Sequence, residues 1–202
     1  VQVAILHDDE VLLDAAYGMS DVVTGEPLTT EHVFRIASHS KTFTATCVMQ
    51  LAERGLLRLD DTVGGWIDEL AGVPADASDV LPRNERFKYS NIGYSLLGLV
   101  IERATGRSYE SFVTEHVIDR LGLAHTTPEL DPARLHTYAG GHTALEHTDV
   151  RRPIDHVDTH SMASATGFAS TARDVVRYAG GHFFGDGGWV SVDSKRLMRE
   201  TE

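Results

Sequence analysis

One cysteine, three lysines, two asparagines and no long apolar run set the first limits on this 202-residue chain. Cys47 stands alone, which excludes an intrachain disulfide, and its place in a helical pattern marks it as a core residue rather than a reactive thiol. The only lysines are Lys41, Lys88 and Lys195, and 18 basic residues face 30 acidic ones for a formal net charge of −12. That balance argues against nucleic acid or an anionic membrane as the principal partner, because both are bound through clustered positive charge. No apolar stretch approaches the roughly 20 residues a membrane-spanning helix needs. The start, Val1 to Leu6, lacks the charged lead and small-residue cleavage site of a secretory signal, and Val1 is not a natural first residue. Compartment and oligomeric state stay open.

What is present is ordinary for a globular protein: 42% apolar and 24% charged residues, enough chain for one hydrophobic core folded as one or two lobes. Val1 to Leu6 and Val11 to Ala16 flank His7-Asp8-Asp9-Glu10, a β-hairpin pattern. Gly18 to Thr30 reads as a loop. A helix is expected from about Ser38 to Arg54, apolar on several sides and therefore buried, with Gly55 just past its end. A second runs from Asn91 to Ala104, with Ile92, Leu96, Leu99 and Val100 on one face and Gly106 after it. A third spans Ser108 to Arg120, capped by Ser108 and burying Phe112, Val113, Val117 and Leu121. Ser170 to Asp174 has the side chains of a helix start leading to Val175, Val176 and Tyr178, and a short last helix covers Asp193 to Arg199.

Ser38-His39-Ser40-Lys41 is a Ser-x-x-Lys at the first turn of a helix. Side chains three residues apart on a helix share a face and can touch. A serine hydroxyl becomes a useful nucleophile only when a neighbouring base takes its proton. A buried lysine is such a base, because desolvation disfavours its ammonium form. Free N–H groups at the helix start favour negative charge developing on a substrate oxygen. Ser40 points away and is not the nucleophile. Tyr89-Ser90-Asn91 opens the second helix. Beside a lysine, Tyr89 ionises more readily and is able to pass a proton to a leaving group. Asn91 offers a donor and an acceptor, suited to holding a substrate amide or the lysine itself. Either motif alone is a weak signal; the two in this order, each at a helix start, are not.

These residues resemble the serine β-lactamase and penicillin-binding-protein superfamily. Phe34 to Ala45 looks like the nucleophile segment of class C β-lactamases, and Phe87 to Tyr94 like the family's second motif. The similarity continues through Leu96-Leu97-Gly98, Tyr109 to Phe112, Leu121-Gly122-Leu123 and Gly167 to Asp174. It implies an α/β (α+β) fold: an antiparallel sheet flanked by helices, with a mainly helical lobe holding Ser38 at the crevice. It also implies one β-lactamase-like domain over residues 1–202, with Ser38 acylated, Lys41 and Tyr89 as proton-transfer partners and Asn91 on the substrate. No cofactor is implied. The expected partner is a small-molecule or peptide substrate, namely a β-lactam, a D-amino peptide or a short ester. Relative to the family, the chain lacks an N-terminal helix, is short between Leu70 and Arg83, and stops before the third motif and the strands that close the sheet. Gly140-Gly141-His142-Thr143-Ala144 superficially resembles that third motif but comes early and lacks its final glycine.

Two rival readings remain. One is a non-catalytic binding protein or inactive fragment on the same fold, favoured by the missing third motif. The other is a metal site from His136, His142, His147, His156 and His160, with Asp155 and Asp158 nearby. His156-x-x-x-His160 has ligand spacing if helical, yet Pro153 and residues 155–159 read as irregular loop, so a solvated histidine-rich surface is expected there.

Overall fold

The computed structural model describes residues 1–72, 89–143, 152–184 and 188–199. Its β-structure consists of two-stranded antiparallel pairs: β1 (Gln2–His7) with β2 (Glu10–Ala16), β3 (Met19–Asp21) with β4 (Glu26–Pro27), β5 (Phe34–Arg35) with β8 (Ala169–Ser170), and β6 (Gly141–His142) with β7 (Pro153–Ile154). The β1–β2 hairpin turns at Asp8 and Asp9, both with positive φ, as a two-residue turn matched to the strand twist requires. Aspartate tolerates that region better than most residues. The 18–30 stretch is not plain loop: Asp21 Oδ1 accepts the Val23 and Thr24 N–H groups, and Gly25 takes a positive φ, so the segment folds back as β3–β4.

The helices are α1 (Ser40–Glu53), α2 (Asn91–Thr105), α3 (Tyr109–Val113), α4 (Ala172–Phe183) and α5 (Val192–Arg199). A 3-10 turn over Ala37–His39 precedes α1, so Ser38 lies in that turn, two residues before the first residue of the helix expected to start at about Ser38. α1 is enclosed on several sides: Lys41, Phe43, Thr44, Thr46, Cys47, Met49, Gln50 and Leu51 are all buried. Its end is closed as the glycine predicts. Gly55 adopts φ 68°, Gly55 N–H reaches Ala52 O at 3.0 Å, and Leu56 N–H reaches Leu51 O at 3.0 Å. Ser108 caps α3 through Ser111 N–H, and Thr171 caps α4 through Asp174 N–H. α3 continues into a π-helical turn over Thr114–Ile118, which keeps Phe112, Val113 and Val117 in the core.

The core lies around α1, where Phe43 stacks on Tyr178 at 3.9 Å between ring centres and tilts against Phe168 at 4.6 Å. α2 departs from its predicted face. Val100 and Ile101 are buried, whereas Ile92 and Leu99 are exposed. Leu96 packs against the core, and Gly98 faces a second π-helical turn, Ala163–Gly167, so closely that a Cβ there would sit 2.5 Å from Ser164 Oγ. Beside it, Arg35 on β5 donates to the buried Glu129 at 2.9 Å; Glu129 also accepts from Thr159 N–H, the Thr159 hydroxyl and Leu130 N–H. Three chain segments meet on that one carboxylate. Among the described residues no helix is long and apolar enough to cross a membrane.

Candidate active site

β5 delivers the chain to the site. Ile36 N–H bonds Phe168 O at 2.9 Å, tying the strand's end to the segment before β8. Ala37 then takes φ 46°, a region alanine seldom occupies, and the turn lifts Ser38 to the surface. Ser40 is used structurally: its hydroxyl donates to Ala37 O at 2.5 Å and accepts from Phe168 N–H at 3.0 Å, fully buried. That occupation agrees with its exclusion as nucleophile.

Ser38 Oγ and Tyr89 Oη are 2.5 Å apart, close enough for a short hydrogen bond with either as donor. Lys41 is buried and donates from Nζ to Ala165 O at 2.8 Å. Its Nζ also lies 4.7 Å from the Tyr89 ring centre and 5.6 Å from that of Tyr94. The Lys41 ammonium first, and the Ser38 hydroxyl second, hold the Tyr89 phenol below its ordinary value. Burial, with Tyr89 as a lesser influence, pushes the Tyr94 phenol up, so two tyrosines around one lysine are driven in opposite directions. Among the described residues Ser38 has no direct hydrogen bond to Lys41; Tyr89 stands at the hydroxyl and Lys41 behind it. A phenol held below its ordinary value ionises more readily, and as phenolate it has the oxygen that can accept a proton from the Ser38 hydroxyl it touches.

Ser90 caps α2 by accepting Gly93 N–H at 2.9 Å, which fixes Tyr89 just before the helix and Asn91 as its first residue. Asn91 Oδ1 is buried and has no hydrogen-bond partner among the described residues. A buried acceptor left empty is costly, and a donor from a bound ligand or from Lys41 relieves it. Ser38, Lys41 and Tyr89 are thus brought together, and Asn91 is set at the adjoining helix start.

Two participants escaped the sequence reading. Tyr94 is only one helical turn beyond Asn91, a spacing that could have placed it. The Ala165 carbonyl carries no side-chain signal at all. The third-motif lookalike falls elsewhere: Gly140 N–H bonds Ser20 O, while Gly141 and His142 pair with Ile154 and Pro153. Ala144 lies outside the described residues, as do His147, Phe87, Lys88 and most of the short 70–83 connection. His156 and His160 do not share a helix. His156 meets the Tyr138 ring edge-on at 5.1 Å, whereas His160 is exposed beside Asp158. No group of three or more His, Cys, Asp or Glu side chains is placed to hold a metal ion among the described residues.

The profile of the Beta-lactamase family matches residues 1–201. The chain belongs to that family. Among curated relatives, it is 28% identical over 171 residues to Protein flp of Staphylococcus aureus (strain MW2), covering 62% of this chain and 34% of the relative. It is 27% identical over 184 residues to Penicillin-binding protein 4* of Bacillus subtilis (strain 168), covering 69% and 41%. This member of the Beta-lactamase family therefore spans well under half the length of the curated relatives it matches. Among solved structures, the octameric penicillin-binding protein homologue from Pyrococcus abyssi superposes with a TM-score of 0.82 at 24% identity, covering 99% of this chain and 56% of the other. D-alanine carboxypeptidase AmpC from Burkholderia cenocepacia gives 0.76 at 24% identity, over 98% and 62%. These structural likenesses establish the β-lactamase and penicillin-binding-protein fold, and family membership supports a function of the serine-hydrolase type.

Proposed function

We propose that this chain carries the nucleophile of a serine hydrolase that works through an acyl-enzyme on β-lactam, D-amino peptide or ester substrates. The observation that carries the reading is the 2.5 Å contact of Ser38 Oγ with Tyr89 Oη, with the Lys41 ammonium behind that phenol. Ser38 Oγ attacks the substrate carbonyl carbon while its proton passes to the phenolate oxygen of Tyr89, the ionised form that Lys41 favours. Lys41 is the positive end of this proton-accepting pair. On collapse of the tetrahedral intermediate, the bond to the leaving nitrogen or oxygen breaks and Tyr89 returns the proton to it. Water then attacks the ester on Ser38, with the same pair taking and giving the proton in reverse. Asn91, whose amide oxygen has no partner among the described residues, positions the N–H of the substrate's acyl chain.

Intact-mass spectrometry with a penicillin and, separately, with an activated phenyl ester tests the proposal. The expected result is a covalent gain equal to the acyl portion with at least one reagent, absent in Ser38→Ala. An adduct that persists in Ser38→Ala removes Ser38 as nucleophile. No adduct with either reagent, on protein shown to be folded by circular dichroism, points instead to a non-catalytic member of the fold.

A further inference from the structure

Lys41 donates to a backbone carbonyl, and that carbonyl belongs to a turn bonded to two helices. The π-helical turn Ala163–Gly167 is built of small residues, Ala163, Ser164, Ala165, Thr166 and Gly167, and has little side chain of its own to pack. It is gripped from outside. Ser164 Oγ donates to Tyr94 O on α2 at 2.9 Å, and Thr44 Oγ1 on α1 lies 2.6 Å from Ser164 O. Thr44 stands three residues beyond Lys41 on the same helix. Its hydroxyl has one proton, and the Ser164 carbonyl at 2.6 Å claims it over Ser40 O at 3.3 Å. Tyr109 Oη, 2.7 Å from Thr44 Oγ1, must then be the donor to Thr44. Burial keeps the Tyr109 phenol protonated, so the direction of this relay is fixed: Tyr109 to Thr44 to Ser164 O. The next carbonyl along the chain, Ala165 O, is the one that receives Lys41 Nζ.

We propose that Thr44, with Tyr109 behind it, is a positioning residue for the proton-transfer pair: it sets the Ser164–Ala165 peptide and thereby the place of the Lys41 ammonium beside Tyr89. The proposal deepens the acyl-enzyme reading and rests on it for its kinetic consequence. Thr44 has no hydrogen bond to Ser38, Lys41 or Tyr89 among the described residues, so its action is indirect. Released from the relay, the Ser164–Ala165 peptide tilts and carries the adjoining Ala165–Thr166 carbonyl with it, so Lys41 loses the acceptor that holds it against the Tyr89 ring.

The test compares Thr44→Val, which keeps the shape without the hydroxyl, with Thr44→Ser, which keeps the hydroxyl. Acylation of each folded protein is followed with a fluorescent penicillin and a fluorescent activated ester, separating the saturating rate from the probe's affinity. Thr44→Val is expected to lower the saturating rate about tenfold or more with affinity nearly unchanged, and Thr44→Ser to restore it. A readout blind to acylation runs beside it. The Tyr89 phenol, which faces Lys41, Ser38 and Tyr94, is titrated by NMR of labelled tyrosine. In Thr44→Val its midpoint should rise by about half a pH unit as Lys41 withdraws, a change that loss of packing alone does not produce. A wild-type rate and an unmoved Tyr89 midpoint in Thr44→Val overturn the proposal. If the unsubstituted protein is never acylated yet Tyr89 moves in Thr44→Val, the hydrolase reading falls and the positioning role stands.

Discussion

Ser38 Oγ lies 2.5 Å from Tyr89 Oη although 51 residues separate them in the chain. The contact joins the turn before one helix to the residue before another, so it depends on how two helix starts are aimed. Tyr89→Phe keeps the ring beside Lys41 and removes the oxygen. Acylation of Ser38 is expected to fall about 10²–10⁴-fold, the usual worth of a placed acid–base group, while the unfolding midpoint stays within error. A stopped-flow measurement with a fluorescent penicillin checks both the size and the specificity of the loss.

The same pair predicts a pH dependence. Tyr89 accepts a proton only as phenolate, so acylation should rise with pH as Tyr89 ionises. Because Lys41 and Ser38 hold that phenol below its ordinary value, the rise should lie below the usual tyrosine range, near about 10. Lys41→Met removes the first and larger influence and should move the limb upward. A limb that stays in place in Lys41→Met argues that another group controls the rate.

Arg35 and Glu129 predict a stability effect away from the nucleophile. Arg35→Met leaves the Glu129 carboxylate buried among Thr159 and Leu130 without its counter-charge. Breaking a fully buried pair costs about 3–5 kcal/mol; the Arg35 side chain keeps some solvent contact, which brings the expected loss to about 2 kcal/mol. Urea unfolding should show it as a lower midpoint with an unchanged slope.

Gly98→Ala tests the close approach of α2 to the Ala163–Gly167 turn. The added Cβ would meet Ser164 Oγ at 2.5 Å and Ser164 Cβ at 2.9 Å, well inside normal contact. Since Ser164 Oγ is committed to Tyr94 O, the clash is relieved only by moving helix against turn, at about 1–3 kcal/mol. Thermal unfolding measures the loss. A Gly98→Ala protein as stable as the original would mean that the two segments slide freely.

Cys47 predicts a chemical silence. It is fully buried, and burial pushes its thiol far above the usual value, so almost no thiolate exists near neutral pH. A colourimetric thiol reagent should label it only on unfolding, at a rate that follows denaturant concentration. Rapid labelling of the native protein would contradict the packing around α1.

Local punctuation was readable in the chain. Gly55, Ser108 and Thr171 end or begin helices as their side chains dictate, and Ser38, Lys41, Tyr89 and Asn91 sit at helix starts where spacing put them. What the sequence hid are features decided by partners far along the chain. Ile92 and Leu99 belong to an apolar pattern yet are exposed, on a helix whose Gly98 lies against Ser164 from far along the chain. Residues 18–30 form a second hairpin because Asp21 bonds its own turn, a choice that composition alone does not reveal. Ala163 to Gly167 has no periodicity to betray it, and Ser164 bonds to Thr44 and Tyr94, 120 and 70 residues away.

Ala37 carries an implication for how the proposed nucleophile is mounted. Its φ of 46° asks an alanine to hold a conformation that glycine accepts freely and that costs other residues about 1–2 kcal/mol. Glycine at this point would ease the backbone, but it would also unlock the swivel on which Ser38 is mounted. The alanine methyl narrows the range of angles through which the hydroxyl can swing. Aim is thereby obtained from stiffness, with conservation of direction ranking above comfort of the chain.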